Sequence, residues 1–457
     1  MQNQNNYFEN SGLEILQKAL NKLGQGFEIL PACKTQNGDE KEKVEEILLL
    51  AAEKMKNNYP YFHPLYAGQM LKPPHDIARL AYMLAMYINP NNHALDGGRE
   101  SSGMEKEAVA QIAAMFGWQT HLGHLTGGGT MANIEALWVA GKVKPGKKIV
   151  ASQMAHYSHQ RMSEVLGLEF ASVPTDKNGI MDIEALKKEL DKGNVGTVVA
   201  TIGTTAMGAV DPLSEILELK NKYGFRVHAD AAYGGYFILA SELQNQVKEK
   251  LGVIGQADSI VIDPHKHGMQ PYGCGSVIFK DPSVGVYYKH HSPYTYFSSA
   301  ELHLGEISLE CSRPGAAAVA LWCTQKLFPL IKGGEFSRRL DLCAKAAFNL
   351  YGKIKTDERF LTGPEPELDI VVWAVKAESV TKASELARAV FEKGAENNLH
   401  LALTELPVHL FDLDAAGIKK DGETITALRS VLMKPEHDEW IDEIWNLLDK
   451  TLKQVIG

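Results

Sequence analysis

No stretch of this chain reaches the ~18 uninterrupted apolar residues that a membrane-spanning helix needs, so no span is expected. The opening residues, Met1-Gln2-Asn3-Gln4-Asn5-Asn6, carry neither a basic start nor an apolar core, and a secretory leader is not expected. Cysteine is scarce. Cys33, Cys274, Cys311, Cys323 and Cys343 make an odd count without a Cys-x-x-Cys pair, which points to a reducing compartment and incidental thiols. Basic residues are outnumbered, 47 Lys+Arg against 56 Asp+Glu, for a net charge of −9. Nucleic acid attracts a basic footprint, and the charges here are scattered rather than blocked, so no nucleic-acid partner is expected. There is no His-Glu-x-x-His, no internal repeat and no low-complexity segment. Together these absences lead us to expect a cytoplasmic protein with no membrane partner.

What is present is an ordinary globular composition over 457 residues, 45% apolar and 23% charged, ample for a substantial core. Residues 13–30 and 43–56 have apolar positions at helical spacing, so 1–62 is expected to be a helical lead-in. From about Leu122, β-rich runs alternate with helical patterns: 148–152, 170–173, 197–202, 226–229, 259–262 and 276–279. Asp182 is placed to cap a helix at 183–190, and another helix follows at 213–223. Apolar strands alternating with helices predict an α/β domain over 63–330, its mostly parallel sheet covered on both faces. Functional loops then gather at the carboxyl ends of the strands. Helical stretches at 337–354, 382–398 and 437–455 frame short strands near 370–374 and 427–433, predicting a smaller α+β C-terminal domain over 331–457.

Three segments carry chemistry. Thr126-Gly127-Gly128-Gly129-Thr130 precedes a helical pattern, where bare backbone N–H groups and the helix dipole favour a phosphate; a tight strand-to-helix turn would look the same. His228-Ala229-Asp230-Ala231-Ala232-Tyr233 puts Asp230 at the end of an apolar strand, where a buried carboxylate needs a cationic partner. Asp263-Pro264-His265-Lys266-His267-Gly268 again follows a strand, and a lysine in a dry pocket can act as an amine nucleophile. Each feature alone has a bland reading. A phosphate loop, then a strand-end Asp, then a strand-end Lys is the chain order expected for pyridoxal 5′-phosphate (PLP). The amine holds the aldehyde as a Schiff base, the Asp keeps the pyridine nitrogen protonated and the loop clamps the phosphate. Other features are decoys. Gly141 to Lys148 begins like a nucleotide-binding P-loop, but Lys148 stands where Ser or Thr must hold Mg²⁺. The His pairs 121/124, 156/159 and 265/267 lack a third ligand, and no metal is expected.

From about His63 onward the chain resembles the group II PLP-dependent amino acid decarboxylases. The resemblance rests on Asn92-His93-Ala94-Leu95-Asp96 with Met104-Glu105, on Ser152 to Ser158, on Thr201 to Thr205 with Val210-Asp211-Pro212, and most specifically on the Asp230 and Lys266 motifs. It implies the fold type I architecture of PLP-dependent transferases and a homodimer with shared active sites. It also implies that Lys266 bonds the cofactor, Asp230 pairs with the pyridinium nitrogen, His156 stacks on one ring face and Ala232 packs the other. Thr205 would contact the ring substituents. Gly128 and Gly129 belong to the phosphate loop, and Thr130, Asp263 and His265 take phosphate-side positions, with Asp263 either facing the phosphate or orienting His265. In the family a loop delivers an aromatic hydroxyl to return a proton to the substrate, which here implies Tyr294 or Tyr296. Asn92, His93 and Arg429 would touch substrate, and Arg313 would hold a carboxylate or stitch the subunits together, with the structural role favoured. The implied reaction is α-decarboxylation of an L-amino acid to an amine and CO₂. The motifs lean towards the bacterial tyrosine decarboxylases and an aromatic substrate. An acidic substrate, or carbon–carbon cleavage of a phosphorylated amino alcohol, are the alternatives.

Overall fold

The structure, a computed structural model, describes residue 7 and residues 12–31, 40–289 and 302–457. The six apolar runs between Lys148 and Phe279 join residues 122–126 in one seven-stranded sheet. Its strands are β1 (Leu122–Thr126), β2 (Lys148–Ser152), β3 (Phe170–Val173), β4 (Val195–Thr201), β5 (Arg226–Asp230), β6 (Ser259–Ile262) and β7 (Gly275–Phe279), in the order β1-β7-β6-β5-β4-β2-β3. From β6 to β3 all neighbours are parallel, as the alternating pattern predicts. β7 runs antiparallel to both β6 and β1. The reason is local: residues 263–274 contain no crossover helix, so the chain turns back beside β6 rather than crossing the sheet.

Helix Gly129–Val143 covers one face of this sheet, seating Ala132, Ala136 and Val139 against Val261 and Val277. The other face joins the main core, where Val198, Ala200, Val227, Ala229, Ile260 and Ile262 are sealed from solvent. Asp182 does cap helix Ile183–Leu190, its carboxylate accepting from the Ala185 N–H at 2.9 Å.

A second sheet is antiparallel throughout: β8 (Phe360–Thr362), β9 (Ile370–Val375), β10 (Ala402–Pro407) and β11 (Thr424–Val431), ordered β10-β11-β9-β8. Strand alternation divides β9 between two cores. Val371, Trp373 and Val375 pack under helices Glu335–Lys355 and His437–Ile456, while Ile370, Val372 and Ala374 join the main core. The smaller domain is thus joined to the larger through its own sheet.

At the N-terminal end, helix Gly12–Gln25 buries Leu16. Helix Lys41–Met55 buries nothing in this single chain, and Leu48 and Leu49 are 64% and 63% exposed. Among the described residues no helix is long and apolar enough to cross a membrane.

Candidate active site

The strand ends singled out from sequence open onto one cavity of about 620 Å³. β1 ends at Thr126 and the chain turns through Gly127 and Gly128 into helix Gly129–Val143. Gly128 holds φ at +144°, a backbone conformation that side chains rarely adopt. A Cβ on Gly129 would lie 2.6 Å from the Asp263 carboxylate, so the cradle closes only around glycine. β5 delivers Asp230 and Ala232, and the turn after β6 delivers Asp263, His265 and Lys266. Thr130, His156 and Thr205 complete the set, so Gly128, Gly129 and these eight residues all line the cavity.

Asp230 is 5% exposed. Burial alone would raise its pKa. A 2.7 Å hydrogen bond from His159 Nε2 and the positive charge around it outweigh burial and hold the carboxyl well below the ordinary range. Its other oxygen accepts from the Ala232 N–H at 3.3 Å. His156 is moved the other way: burial lowers its pKa and favours a neutral ring. Its Nδ1 lies 2.7 Å from the Ser158 hydroxyl.

The Lys266 ammonium is 3.1 Å from Asp263. His265 is oriented chiefly by the Cys274 carbonyl, 2.8 Å from its Nδ1, and Asp263 is a more distant 3.6 Å from its Nε2. Asp263 thus lies closer to Lys266 than to His265, one of its two expected partners.

Three expected substrate contacts lie elsewhere. Asn92 is fully buried, its amide donating to the Ser101 carbonyl and to Glu105 (2.6 Å) while accepting from the Ser101 hydroxyl. It is a structural strut, because those bonds use the whole amide inside the core. His93 does not line the cavity; its ring lies against Gly305, where an added Cβ would meet Nδ1 at 2.2 Å. Arg429 also stands back from the wall, donating to the carbonyl of cavity-lining Thr205 (3.0 Å) and to Gln69. Arg313 makes its contacts within the chain, bonding Glu105 at 2.8 Å and the Leu125 carbonyl at 2.8 Å. Tyr294 and Tyr296 fall outside the described residues.

The cavity also contains residues to which sequence reasoning assigned no role. Met131, Ile134, Met162 and Tyr272 contribute apolar and aromatic wall, and Glu310 accepts from the Gly127 N–H at 3.0 Å. His159 was visible only as half of a His-x-x-His spacing. Its partner is 71 positions away, so no local signal marks it. Among the described residues, no group of three or more His, Cys, Asp or Glu comes together as a metal site.

Comparison with known proteins agrees with this geometry. The pyridoxal-dependent decarboxylase conserved domain matches residues 28–376. The L-tyrosine decarboxylase of Enterococcus faecium is 26% identical, over 86% of this chain and 84% of that protein. The L-aspartate decarboxylase of Thermococcus kodakarensis is 30% identical over 62% of this chain and 72% of its own length. Among solved structures, mouse CSAD superposes with a TM-score of 0.77 at 21% identity, covering 96% of this chain and 91% of that one.

Proposed function

The chain belongs to the pyridoxal-dependent decarboxylase family and is a PLP-dependent amino acid decarboxylase, and from that premise we propose that its substrate is an aromatic L-amino acid, decarboxylated to the corresponding amine. Bound in the glycine-lined cavity, PLP supplies a protonated ring that withdraws electrons from the substrate's Cα–carboxylate bond. The remaining work falls to this chain's side chains. Lys266, lining the cavity, would hold the cofactor aldehyde through its amine. Asp230, kept ionised by His159, holds the proton on the ring nitrogen. The N–H groups at the start of helix Gly129–Val143, with Thr130 and His265, receive the phosphate. His156, neutral through burial, would cover one face of the cofactor ring and Ala232 the other.

The observation that carries the aromatic reading is the composition of the wall beyond these residues. Met131, Ile134, Met162 and Tyr272 suit an aromatic ring, and the Glu310 carboxylate would repel the distal carboxylate of aspartate or glutamate. Among the described residues no arginine lines the cavity, and Arg429 is already engaged by Thr205 and Gln69.

The test is a decarboxylation panel on PLP-loaded protein, with each standard L-amino acid and DOPA supplied separately. One aromatic amine should rise well above the rest and vanish in Lys266→Ala. Dominant turnover of aspartate or glutamate would overturn the aromatic assignment while leaving the decarboxylase intact.

We also propose that the working unit is a homodimer. The support is helix Lys41–Met55, whose apolar side chains find no partner in a single chain.

A further inference from the structure

A second cavity, of about 340 Å³, is lined by His267 and Met269, whose chain neighbours His265 and Lys266 line the cofactor cavity. It sits where the segment after Lys72, helix Glu335–Lys355 and the turn after β11 meet, and its wall is rich in cations. Lys72 Nζ donates to the Met433 carbonyl at 3.1 Å, and Lys434 Nζ donates to the Tyr66 carbonyl. Lys434 is only 4% exposed and also lies over the Tyr66 ring, 5.3 Å from its centroid. Among the described residues, no carboxylate forms an ion pair with either ammonium. The Arg339 guanidinium rests over the Phe328 ring at 5.1 Å, with Glu335 at 3.4 Å from its Nε. Of the acidic residues of the wall, Asp76 is paired with Arg79 at 2.8 Å, while Glu436 is exposed and offsets the two lysine charges only in part, without an ion pair to either.

Two lysines lining one cavity with no carboxylate ion-paired to either is a costly arrangement, because each is desolvated and they repel. Its electrostatic consequence is visible at Lys434, whose pKa falls to about 7, through burial first and Lys72 second. Nothing in the proposed decarboxylation uses these groups. The space is several times a water molecule's share of about 30 Å³, room for a small anion and its bound water. Two rotatable ammonium groups and a planar guanidinium fork are a donor set for an oxyanion.

We propose that this cavity is a binding site for a small multivalent oxyanion, held between Lys72, Lys434 and Arg339. Phosphates and dicarboxylates share that chemistry, and separate arms of the experiment distinguish them. PLP-loaded full-length protein, with its cofactor phosphate site filled, is titrated calorimetrically with inorganic phosphate and, separately, with succinate. At least one should bind saturably at one site per chain. Lys72→Met and Lys434→Met should each weaken that binding about tenfold or more, as expected for loss of a charge-assisted hydrogen bond. Arg339→Gln gives an independent reading should a lysine variant fail to fold. Saturation by phosphate alone identifies a phosphate site, and by succinate alone a carboxylate site. Absence of saturable binding in both arms, or affinity unchanged in the variants, would overturn the proposal.

Discussion

Asp230 stays ionised in a buried strand end because His159, itself fully buried, donates to it across 2.7 Å. The bond also limits rotation of the carboxylate, so His159 acts as a positioning residue for whatever Asp230 holds. Removing the comparable outer partner of a metal ligand typically costs about 10–100-fold, and we take that range for this carboxylate. His159→Leu should therefore lower kcat by about that factor with little change in KM, and shift the pH at which the bound cofactor's absorbance titrates. A purely packing role would leave that titration where it was. The strand-end residues Asp230, Asp263 and Lys266 could be read from sequence because each follows an apolar run. His159 could not, because its function depends on a contact between distant segments.

Among the larger pieces, helix Ile183–Leu190 matches its expected span because both its signals, the Asp182 cap and the apolar spacing, are local. β1 was not foreseen. Its sequence, Leu-Gly-His-Leu-Thr, alternates no clear apolar face and becomes a strand by pairing with β7 across five residues. Helix Lys41–Met55 was foreseen, but its apolar residues meet no core in one chain. If they form the homodimer contact, Leu48→Glu with Leu49→Glu should shift the protein from dimer to monomer in sedimentation equilibrium. Both side chains are exposed here, so folding of the chain itself should survive. A double variant that remains dimeric would place the interface elsewhere.

Stability of the complete fold should depend on pH through two buried groups outside the proposed reaction. Burial raises the Asp211 pKa from 3.8 to about 6, despite hydrogen bonds from Thr201 and Met181. Between those values the folded chain holds more protons than the unfolded one, so this residue makes stability fall as pH rises. Lys434 has the opposite sign. Its pKa drops from 10.5 to about 7, so between those values the unfolded chain holds more protons and stability rises with pH. Urea unfolding across both windows should show a falling arm and a rising arm. Asp211→Asn should flatten the first and Lys434→Met the second. Arms unchanged by those substitutions would show that neither group sets the profile.

The α/β character, the cofactor and the strand-end residues follow from the chain's own order, because each rests on a local run of residue types. Apolar periodicity marks the strands, glycine permits the Gly128–Gly129 turn, and Asp230 and Lys266 follow their strands directly. Contacts between distant segments depend on packing. The absence of a crossover helix after β6 sets the antiparallel course of β7, and β9 is shared between two cores. The same packing draws Asn92 into a knot with Ser101 and Glu105 and takes Arg429 to Thr205. It also gathers Lys72, Arg339 and Lys434 around one cavity. Residue identity states what a side chain can do, whereas sheet order and burial select the partner with which it does it.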